Sequence, residues 1–141
     1  MKVRDIFTKD PEVINPESSV AEAANKMRQA DIGMLPVCEN DRLIGSITDR
    51  DIAIRCVAEE RDALGTKVRD VMSPHLYYCF DDQDLKEVAL QMEDKHVRRL
   101  PVLNRSKRLI GIVSLCDFAV RAEERQLAGE ILEEVAEPSV K

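Results

Sequence analysis

The chain has 141 residues, a net charge of −6 and 44% hydrophobic residues, which fits a globular domain of ordinary size. The acidic balance argues against non-specific nucleic-acid binding, because that function needs a basic surface. No apolar run approaches the roughly 20 residues of a membrane helix, and the charged first five residues do not resemble a secretory signal. We therefore expect a cytoplasmic protein that binds neither nucleic acid nor membrane.

The chain contains two copies of one pattern. Leu-Pro-Val of residues 35–37 returns 65 positions later at 100–102, and Leu-Ile-Gly of residues 43–45 returns 66 positions later at 109–111. The extra residue falls in a polar stretch, where a turn tolerates an insertion. One copy of about 60 residues is too small to be comfortably stable alone. We therefore expect the copies to pack face to face around one shared core.

Each copy predicts the same series of elements: a helical turn, a short strand, a capped helix, a two-strand hairpin and a closing helix. In the first copy these are the turn at 3–7, the strand at 12–15, the helix from 20, the strands at 35–38 and 43–48, and a closing helix with Ile52, Ala53, Ile54, Cys56 and Val57. In the second copy they are the turn at 68–72, the strand at 76–80, the helix from 85, the strands at 100–103 and 109–114, and a closing helix with Phe118, Ala119, Val120 and Ala122.

The first helix of each copy is predicted to begin behind a capping box, Ser19-x-x-Glu22 in one and Asp84-x-x-Glu87 in the other. Apolar residues at helical spacing then predict a face turned to the core. These residues are Val20, Ala23, Ala24 and Met27 in the first copy, and Leu85, Val88, Ala89 and Met92 in the second. The closing helices are apolar nearly all round at their starts, which predicts that they are well buried.

Residues 126–137 have no counterpart after the first copy and predict an amphipathic helix. Its apolar stripe consists of Leu127, Ile131, Leu132 and Val135, and its other face carries Glu130, Glu133, Glu134 and Glu137. Such a helix can pack on its own domain, or it can dock on a second subunit or a partner. The sequence favours the first interpretation and leaves the second open.

The cysteines and histidines do not form a metal-binding pattern. No Cys-x-x-Cys pair occurs, and neither histidine lies near paired cysteines, so a zinc or iron–sulfur site is not expected. Each cysteine stands in an apolar stretch, which predicts a reduced and buried thiol. A redox pair between Cys38 and Cys79 is the alternative. The residues concerned are Cys38, Cys56, Cys79, Cys116, His75 and His96.

Each copy places a hydroxyl and a carboxylate where its last strand runs into the closing helix. We call residues 48–51, with Thr48 and Asp51, the first corner, and residues 114–117, with Ser114 and Asp117, the second corner. The hydroxyl can simply cap the helix. A helix start also offers unpaired N–H groups to an anion, and an aspartate can accept two hydrogen bonds from a sugar diol. Each corner is therefore predicted to be half of a nucleotide cradle.

With these features the chain resembles a tandem pair of cystathionine β-synthase (CBS) motifs over about residues 1–125. The resemblance rests on the order of elements, on Leu-Pro-Val and on the corner, each present twice in register. It implies an α+β fold in which two β-α-β-β-α motifs pack sheet to sheet about a pseudo-twofold axis. The predicted organisation is motif 1 at 1–60, a linker at 61–67, motif 2 at 68–125, and an acidic C-terminal helix and tail at 126–141.

The resemblance also implies a regulatory function without a catalytic step. Clefts between the motifs would bind an adenosyl ligand (AMP, ADP, ATP or S-adenosylmethionine), no cofactor would be required, and binding would alter packing or contacts with an unidentified regulated protein. The chain would form a homodimer. In the family, the corner aspartate holds the ribose, the corner hydroxyl and nearby basic residues hold phosphate, and the first strand lies beside the adenine. The residues carried over are Asp51, Asp117, Thr48, Ser114, Val13 and Tyr78.

The two copies differ in charge around this pattern. Residues 95–116 carry six basic residues and no acid, whereas the aligned residues 30–50 carry two basic residues and four acids. Arg98 and Arg99 stand just before the second Leu-Pro-Val, and an arginine fork binds phosphate bidentately. We therefore predict one competent phosphate site, with Arg98 or Arg99 as its main ligand. In the alternative interpretation, one arginine is solvated and the other pairs with an acid such as Asp94 or Asp117.

Arg50 of the first corner aligns with Cys116 of the second and is a further candidate for phosphate contact. A surface salt bridge with Asp49 or another acid is the favoured alternative. Of the neighbouring residues Tyr77 and Tyr78, alternation along a strand predicts that one faces the core.

Two other functional classes are weighed against a ligand-binding module. One is a structural or interaction protein with vestigial clefts that works through its acidic C-terminal helix. The other is an enzyme, which is disfavoured because the sequence has no Walker-type phosphate loop, no nucleophile elbow and no spacing that suggests a Cys–His pair.

Overall fold

A computed structural model describes residues 1–74, 77–120 and 125–136 of the chain and shows a mixed α+β architecture, as predicted. The elements are, in chain order, a 3-10 turn at Val3–Asp5, β1 (Thr8–Lys9), α1 (Val20–Ala30), β2 (Met34–Glu39), β3 (Arg42–Thr48), α2 (Asp49–Ile52) with a π-helical continuation at Ala53–Val57, a 3-10 turn at Val68–Asp70, β4 (Cys79–Phe80), α3 (Leu85–Lys95), β5 (Arg99–Leu103), β6 (Leu109–Ser114), α4 (Leu115–Val120) and α5 (Arg125–Ala136). Every helix within the described residues is too short or too polar to cross a membrane.

The chain divides into two compact units whose limits differ from those of the repeats. Unit 1 combines Met1–Pro11 with Tyr77–Lys141, and unit 2 is Glu12–Leu76. The opening segment of each repeat thus belongs to the unit formed by the rest of the other repeat. We call residues 3–9 the first arm, which lies in unit 1, and residues 68–74 the second arm, which lies in unit 2. The predicted domain limits and the sheet-to-sheet packing stay predictions.

Unit 1 contains a four-stranded sheet in the order β1-β6-β5-β4. The hairpin β5–β6 is antiparallel, as predicted, and β4 pairs with β5 in parallel, with Cys79 opposite Val102. The first arm adds β1 antiparallel to β6, with Thr8 opposite Ile112. The strand predicted at 76–80 covers only Cys79–Phe80, and its first residue lies outside the described residues.

Unit 2 repeats this plan with shorter outer segments. Its centre is the predicted antiparallel hairpin β2–β3. Ile14 forms a single parallel bridge to Val37, and Ser73 of the second arm forms a single antiparallel bridge to Ser46. The strand predicted at residues 12–15 is therefore reduced to one bridge, because Pro16 follows closely and has no N–H to continue a ladder.

Two glycines explain why the arms can lie across the hairpins. A Cβ added to Gly111 would lie 2.1 Å from Cδ2 of Phe7 and 2.4 Å from the carbonyl oxygen of Thr8. A Cβ added to Gly45 would lie 2.6 Å from the carbonyl oxygen of Ser73. The glycine of each Leu-Ile-Gly thus makes room for the arm that crosses it, which is a common reason for glycine inside a strand.

The buried side chains form two clusters, one in each unit, and not the single shared core that was expected. The predicted stripes of α1 and α3 lie in these clusters, except that Ala24 is exposed. The closing helices are less buried than predicted, with Ile54, Val57 and Val120 exposed by 47%, 66% and 76%. These short helices turn one face to their own unit, through fully buried Cys56 in one and Phe118 in the other.

Helix α5 packs on its own unit, in agreement with the first interpretation of the C-terminal segment. Ile131 and Ala128 are buried in the core of unit 1, and Leu127 and Val135 pack against it. Leu132 is exposed, so the buried stripe is narrower than predicted and includes Ala128 in its place. Glu137 of the predicted acidic face lies outside the described residues.

The two predicted capping boxes of α1 and α3 do not form in full. The hydroxyl of Ser19 accepts the N–H of Glu22 at 3.1 Å, which is half of the box. Asp84 occupies the N-cap of α3, but its side chain makes no capping bond. The first two residues of the chain contact this helix start instead, since the carbonyl of Met1 accepts the N–H of Leu85 and Lys2 forms a bridge with Asp84.

Candidate functional site

Both corners are built as reciprocal capping boxes. In the first, Thr48 Oγ1 accepts the N–H of Asp51 at 3.0 Å and Asp51 Oδ2 accepts the N–H of Thr48 at 3.0 Å. In the second, Ser114 Oγ accepts the N–H of Asp117 at 3.3 Å, and Asp117 Oδ2 accepts the N–H of Ser114 at 2.8 Å and its hydroxyl at 3.2 Å. Each predicted hydroxyl–carboxylate pair is thus in direct contact and fixes the start of its closing helix.

The two aspartates differ in burial. Asp117 is buried, with 7% of its surface exposed, whereas Asp51 is half-buried. A buried carboxylate needs hydrogen-bond donors, and the backbone and hydroxyl of Ser114 supply them. The second corner is therefore the more enclosed of the two.

A second backbone bond joins each corner to the start of the neighbouring strand. The N–H of Leu115 donates to the carbonyl of Arg98 at 2.9 Å, and Arg99 stands directly opposite Ser114 in the β5–β6 register. We call residues 98–99 the strand mouth of unit 1. The arginine pair thus lies beside the second corner of its own unit.

The arginines of this strand mouth are available to a ligand. Both Arg98 and Arg99 are exposed, and within residues 1–74, 77–120 and 125–136 neither forms an ion pair. Asp94 was one of the acids considered as a partner, but its Oδ2 lies 3.7 Å from Nζ of Lys95 instead. The alternative in which Asp94 neutralises an arginine is therefore wrong.

Arg105, another of the six basic residues at positions 95–116, serves the fold. Arg105 forms two hydrogen bonds of 2.7 Å to the carboxylate of Asp82 and lies over the ring of Phe80 at 4.1 Å. These hydrogen bonds are the main reason that the pKa of Asp82 is lowered and the pKa of Arg105 is raised. Because Arg105 follows the end of β5, it lies far from the strand mouth, at the other end of the hairpin.

The strand mouth of unit 2, residues 33–34, has the same backbone arrangement but no charged side chain. The N–H of Asp49 donates to the carbonyl of Gly33 at 3.0 Å, and Met34 stands opposite Thr48. Oδ1 of Asp49 accepts the N–H of Arg50 at 2.8 Å. The predicted salt bridge between Arg50 and Asp49 is wrong, because their contact is through the backbone, and no other ion pair of the Arg50 side chain occurs in the described part of the chain.

The two residues predicted beside the adenine each accept, at the backbone carbonyl, a hydrogen bond from a helix side chain. Nζ of Lys26 donates to the carbonyl of Val13 at 2.7 Å, and Nε2 of Gln91 donates to the carbonyl of Tyr78 at 2.6 Å. The donors, like the acceptors, are 65 positions apart, so the repeat shift could have identified them. The sequence reasoning missed both donors and also missed the role of Asp49.

The aromatic residues around Tyr78 take different environments. The ring of Tyr78 meets that of Phe80 edge to face, with 5.6 Å between centroids. Tyr77 is exposed, and Nζ of Lys95 lies 5.3 Å from the centre of its ring. Tyr78 is the more buried of the two, but neither ring belongs to the buried core, so the prediction that one of them faces the core is wrong.

The thiols do not have the chemistry of a redox pair. Burial, with a smaller contribution from Asp41, raises the pKa of Cys38 to about 11. Burial, with a smaller contribution from Asp81, raises the pKa of Cys79 to about 12. All four cysteines are free. Cys116 is exposed, contrary to the prediction, because the buried face of α4 carries Asp117 and Phe118.

No three histidine, cysteine, aspartate or glutamate side chains are grouped as a metal site in the described residues. His75 lies outside them.

Comparison with known proteins gives the same result for both copies. The family profile of the CBS domain matches residues 3–57 and again residues 68–123. The CBS domain-containing protein YhcV of Bacillus subtilis is 35% identical over 138 residues, which cover 98% of this chain and 97% of that protein. The tandem pair identified in the sequence is therefore confirmed.

Two solved structures extend the comparison. The crystal structure of hypoxic response protein I with two coordinated zinc ions shares 35% identity and a TM-score of 0.77, covering 84% of this chain and 97% of its own. The CBS domain pair of protein MJ0100, in complex with 5′-methylthioadenosine and S-adenosyl-L-methionine, shares 26% identity and a TM-score of 0.76. It covers 92% of this chain and 98% of its own. The similarity thus extends over nearly the whole length of each chain.

Proposed function

This chain belongs to the CBS-domain family, and we propose that it is a non-catalytic regulatory module whose second corner binds an adenosyl nucleotide of the AMP, ADP or ATP class. The adenosyl part of the proposal is supported by the MJ0100 domain pair, which was solved with two adenosyl compounds. The phosphate part is supported by residues of this chain, and no cofactor is required for it.

The arginine pair at the strand mouth of unit 1 carries the proposal. Arg99 stands directly opposite Ser114, and the carbonyl of Arg98 accepts the first amide of α4. Two guanidinium groups and a hydroxyl are thus gathered at one end of the β5–β6 hairpin. Guanidinium groups bind phosphate oxygens bidentately, with strong charge-assisted hydrogen bonds.

The remaining residues of unit 1 take the other parts of the ligand. Asp117 would accept the ribose hydroxyls, a role that the two oxygens of a carboxylate can take toward a sugar diol. Tyr78, on the segment that leads into β4, would lie beside the adenine. In unit 2 the corresponding residues are Asp51, Thr48 and Val13, with Arg50 as a basic residue.

Binding would act by shifting a conformational equilibrium, which a partner protein then detects. A ligand shifts such an equilibrium by its difference in affinity for the two states. Homodimer formation, a regulated partner and a cytoplasmic location belong to the same proposal and stay predictions. Native mass spectrometry of the purified protein would report the number of subunits and any retained nucleotide together.

Calorimetric titration of AMP, ATP and adenosine into the wild type and an Arg98→Ala/Arg99→Ala variant tests the phosphate site. Loss of charge-assisted hydrogen bonds costs roughly 1.5–3 kcal/mol, which weakens AMP and ATP binding about 10- to 150-fold. Adenosine has no phosphate, so its affinity should stay the same.

A Lys107→Ala/Arg108→Ala variant is the matched control. It removes the same charge from the same hairpin, but at the end remote from the second corner. It should bind AMP like the wild type. Unchanged AMP affinity in the Arg98→Ala/Arg99→Ala variant would refute the phosphate site. If millimolar AMP, ADP, ATP and S-adenosylmethionine all left the melting temperature unchanged, the structural or interaction protein would become the better hypothesis, since a bound ligand stabilises the native state.

A further inference from the structure

The two corners, each with its strand mouth, carry different charged side chains on the same backbone arrangement. In unit 1 the amide after Ser114 bonds to the carbonyl of Arg98, and in unit 2 the amide after Thr48 bonds to the carbonyl of Gly33. These bonds have the same place in the repeat, so they serve as a common reference. The residue that supplies the amide is Leu115 in one unit and Asp49 in the other.

The carboxylate of Asp49 lies against Gly33. A Cβ added to Gly33 would lie 3.0 Å from Oδ2 of Asp49 and 3.6 Å from its Oδ1. The acid therefore occupies the space where a side chain at position 33 would begin. At the equivalent position in unit 1, the side chain of Arg98 leaves the backbone.

The carboxylate of Asp49 also accepts a hydrogen bond from the next N–H of the helix. Its Oδ1 accepts the N–H of Arg50 at 2.8 Å, so this N–H is already paired with a negative group. Leu115, at the equivalent position of the second corner, has no carboxylate with which to do the same. A phosphate at the first corner would therefore meet a carboxylate in place of a free donor.

The net charges of the two sites also disfavour a phosphate at the first corner. The first corner and its strand mouth carry Asp49, Asp51 and Arg50, which is a net charge of −1. The second corner and its strand mouth carry Arg98, Arg99 and Asp117, which is a net charge of +1. A phosphate monoester carries about −1.5 to −2 at neutral pH, so the two sites differ in sign toward it.

We infer that Asp49 is a specificity-determining residue, which makes the first corner select adenosyl compounds whose 5′ substituent is neutral or positively charged and exclude those with phosphate. This inference rests on the proposed function and deepens it. The chain then binds two classes of adenosyl compound, with phosphate in the second corner only. A positively charged 5′ group gains from the same carboxylate that repels a phosphate.

The test counts AMP molecules per chain by calorimetry in the wild type and in an Asp49→Asn variant. Asparagine keeps a side-chain oxygen for the N–H of Arg50 but removes the charge. The wild type should bind one AMP. The variant should bind a second AMP, with affinity for the first corner raised about tenfold or more, because like charges a few ångströms apart repel even in water.

S-adenosylmethionine, whose sulfonium is positively charged, gives a readout of opposite sign. The Asp49→Asn variant should bind it several-fold more weakly, while 5′-methylthioadenosine, which is neutral, should bind as before. Asp41→Asn is the matched control, since Asp41 is an exposed aspartate at the far end of the β2–β3 hairpin. Its backbone is left-handed, which asparagine tolerates, and its removal should leave both ligands unaffected.

The second AMP is assigned by combining Asp49→Asn with Arg98→Ala/Arg99→Ala, which should leave one AMP bound at the first corner. Two AMP molecules on the wild type, or one on both wild type and Asp49→Asn, would overturn the inference and leave the proposed function standing. No AMP on the wild type but one on Asp49→Asn would refute the second-corner phosphate site and support the inference. No AMP on either protein would overturn both.

Discussion

In unit 2 the amide of Asp49 donates to Gly33, and in unit 1 the amide of Leu115 donates to Arg98, so one backbone bond closes both corners. The capping boxes and the hairpin registers match as well. The side chains around this shared backbone carry opposite charges. The charged side chains that differ between the corners, Asp49, Arg98 and Arg99, are exposed, so very few substitutions separate the two ligand preferences that we propose.

The two corners differ in that only the second has an exposed thiol, and we expect the largest effect from this difference. Cys116 is exposed in the second corner, where the first corner has Arg50. Cys38 has a pKa of about 11, two units above the ordinary 9.0, so its thiolate is about 100-fold scarcer near neutral pH. Iodoacetamide should therefore modify the exposed Cys116 much faster than Cys38, as followed by mass spectrometry.

The same reaction reports on the proposed ligand. AMP at the second corner should slow modification of Cys116, and Cys116→Ser should abolish the fast reaction. Modification of Cys38 or Cys79 at the rate of Cys116 would contradict the burial that raises their pKa values.

The arms should differ in how strictly they require glycine. In Gly111→Ala the new Cβ would meet both the ring of Phe7 and a backbone oxygen, so we expect a loss of about 3 kcal/mol or more in the free energy of unfolding. In Gly45→Ala the nearest atom is a single backbone oxygen of Ser73 at 2.6 Å, and the loss should be about 1–3 kcal/mol. Urea unfolding measures both.

Gly129→Ala is the control for these variants. A Cβ on Gly129 of α5 would meet nothing within 4 Å, and alanine is the better helix former, so this change should stabilise the protein by about 0.5–1 kcal/mol. A Gly111→Ala protein as stable as the wild type would show that the first arm does not lie across β6.

The repeat could be predicted from the sequence because its signals are local. The hairpins follow from alternation and a polar turn, and the corners follow from a hydroxyl three residues before an aspartate. The placement of each arm in the unit of the other repeat could not be predicted in this way. Gly45 and Gly111 indicate only that another segment lies close to the strand, and they do not identify that segment. The exposure of Val57 and Val120 was missed because apolar composition does not reveal which face of a short helix meets the core.

The capping boxes should give a smaller difference between the units. Thr48→Ala and Ser114→Ala should each cost about 1 kcal/mol in the free energy of unfolding, the usual value for a lost N-cap. Ser114→Ala should cost the more, since its hydroxyl also donates to the buried Asp117. Thermal and urea unfolding measure the pair, with Thr48→Ser and Ser114→Thr as controls that keep the hydroxyl. A larger loss in Thr48→Ala would reverse this order of the corners.

The smallest effect concerns Glu17 and Asp82, which occupy the same position in the two repeats. Glu17 binds Lys67 at 2.8 Å and also Arg69, which ties it to the second arm. Asp82 binds Arg105 of the β5–β6 turn. A hydrogen bond to Lys67 is the main reason that the pKa of Glu17 is lowered, and a hydrogen bond to Arg105 does the same for Asp82.

Folding lowers both pKa values, so the unfolded chain binds more protons than the folded chain in acid. The free energy of unfolding therefore decreases as the pH is lowered. The contribution is complete above the ordinary pKa values of 4.5 and 3.8 and is lost as the pH falls through the lower folded values. Glu17 is exposed and Asp82 is half-buried, and each carboxylate still contacts solvent, so the effect should be small and should shrink further in high salt. Carboxyl NMR titration should show the pKa of Asp82 rising in Arg105→Ala and that of Glu17 rising in Lys67→Ala, each without a change at the other site. A rise at both sites in either variant would mean that the two acids are coupled and that the units do not titrate separately.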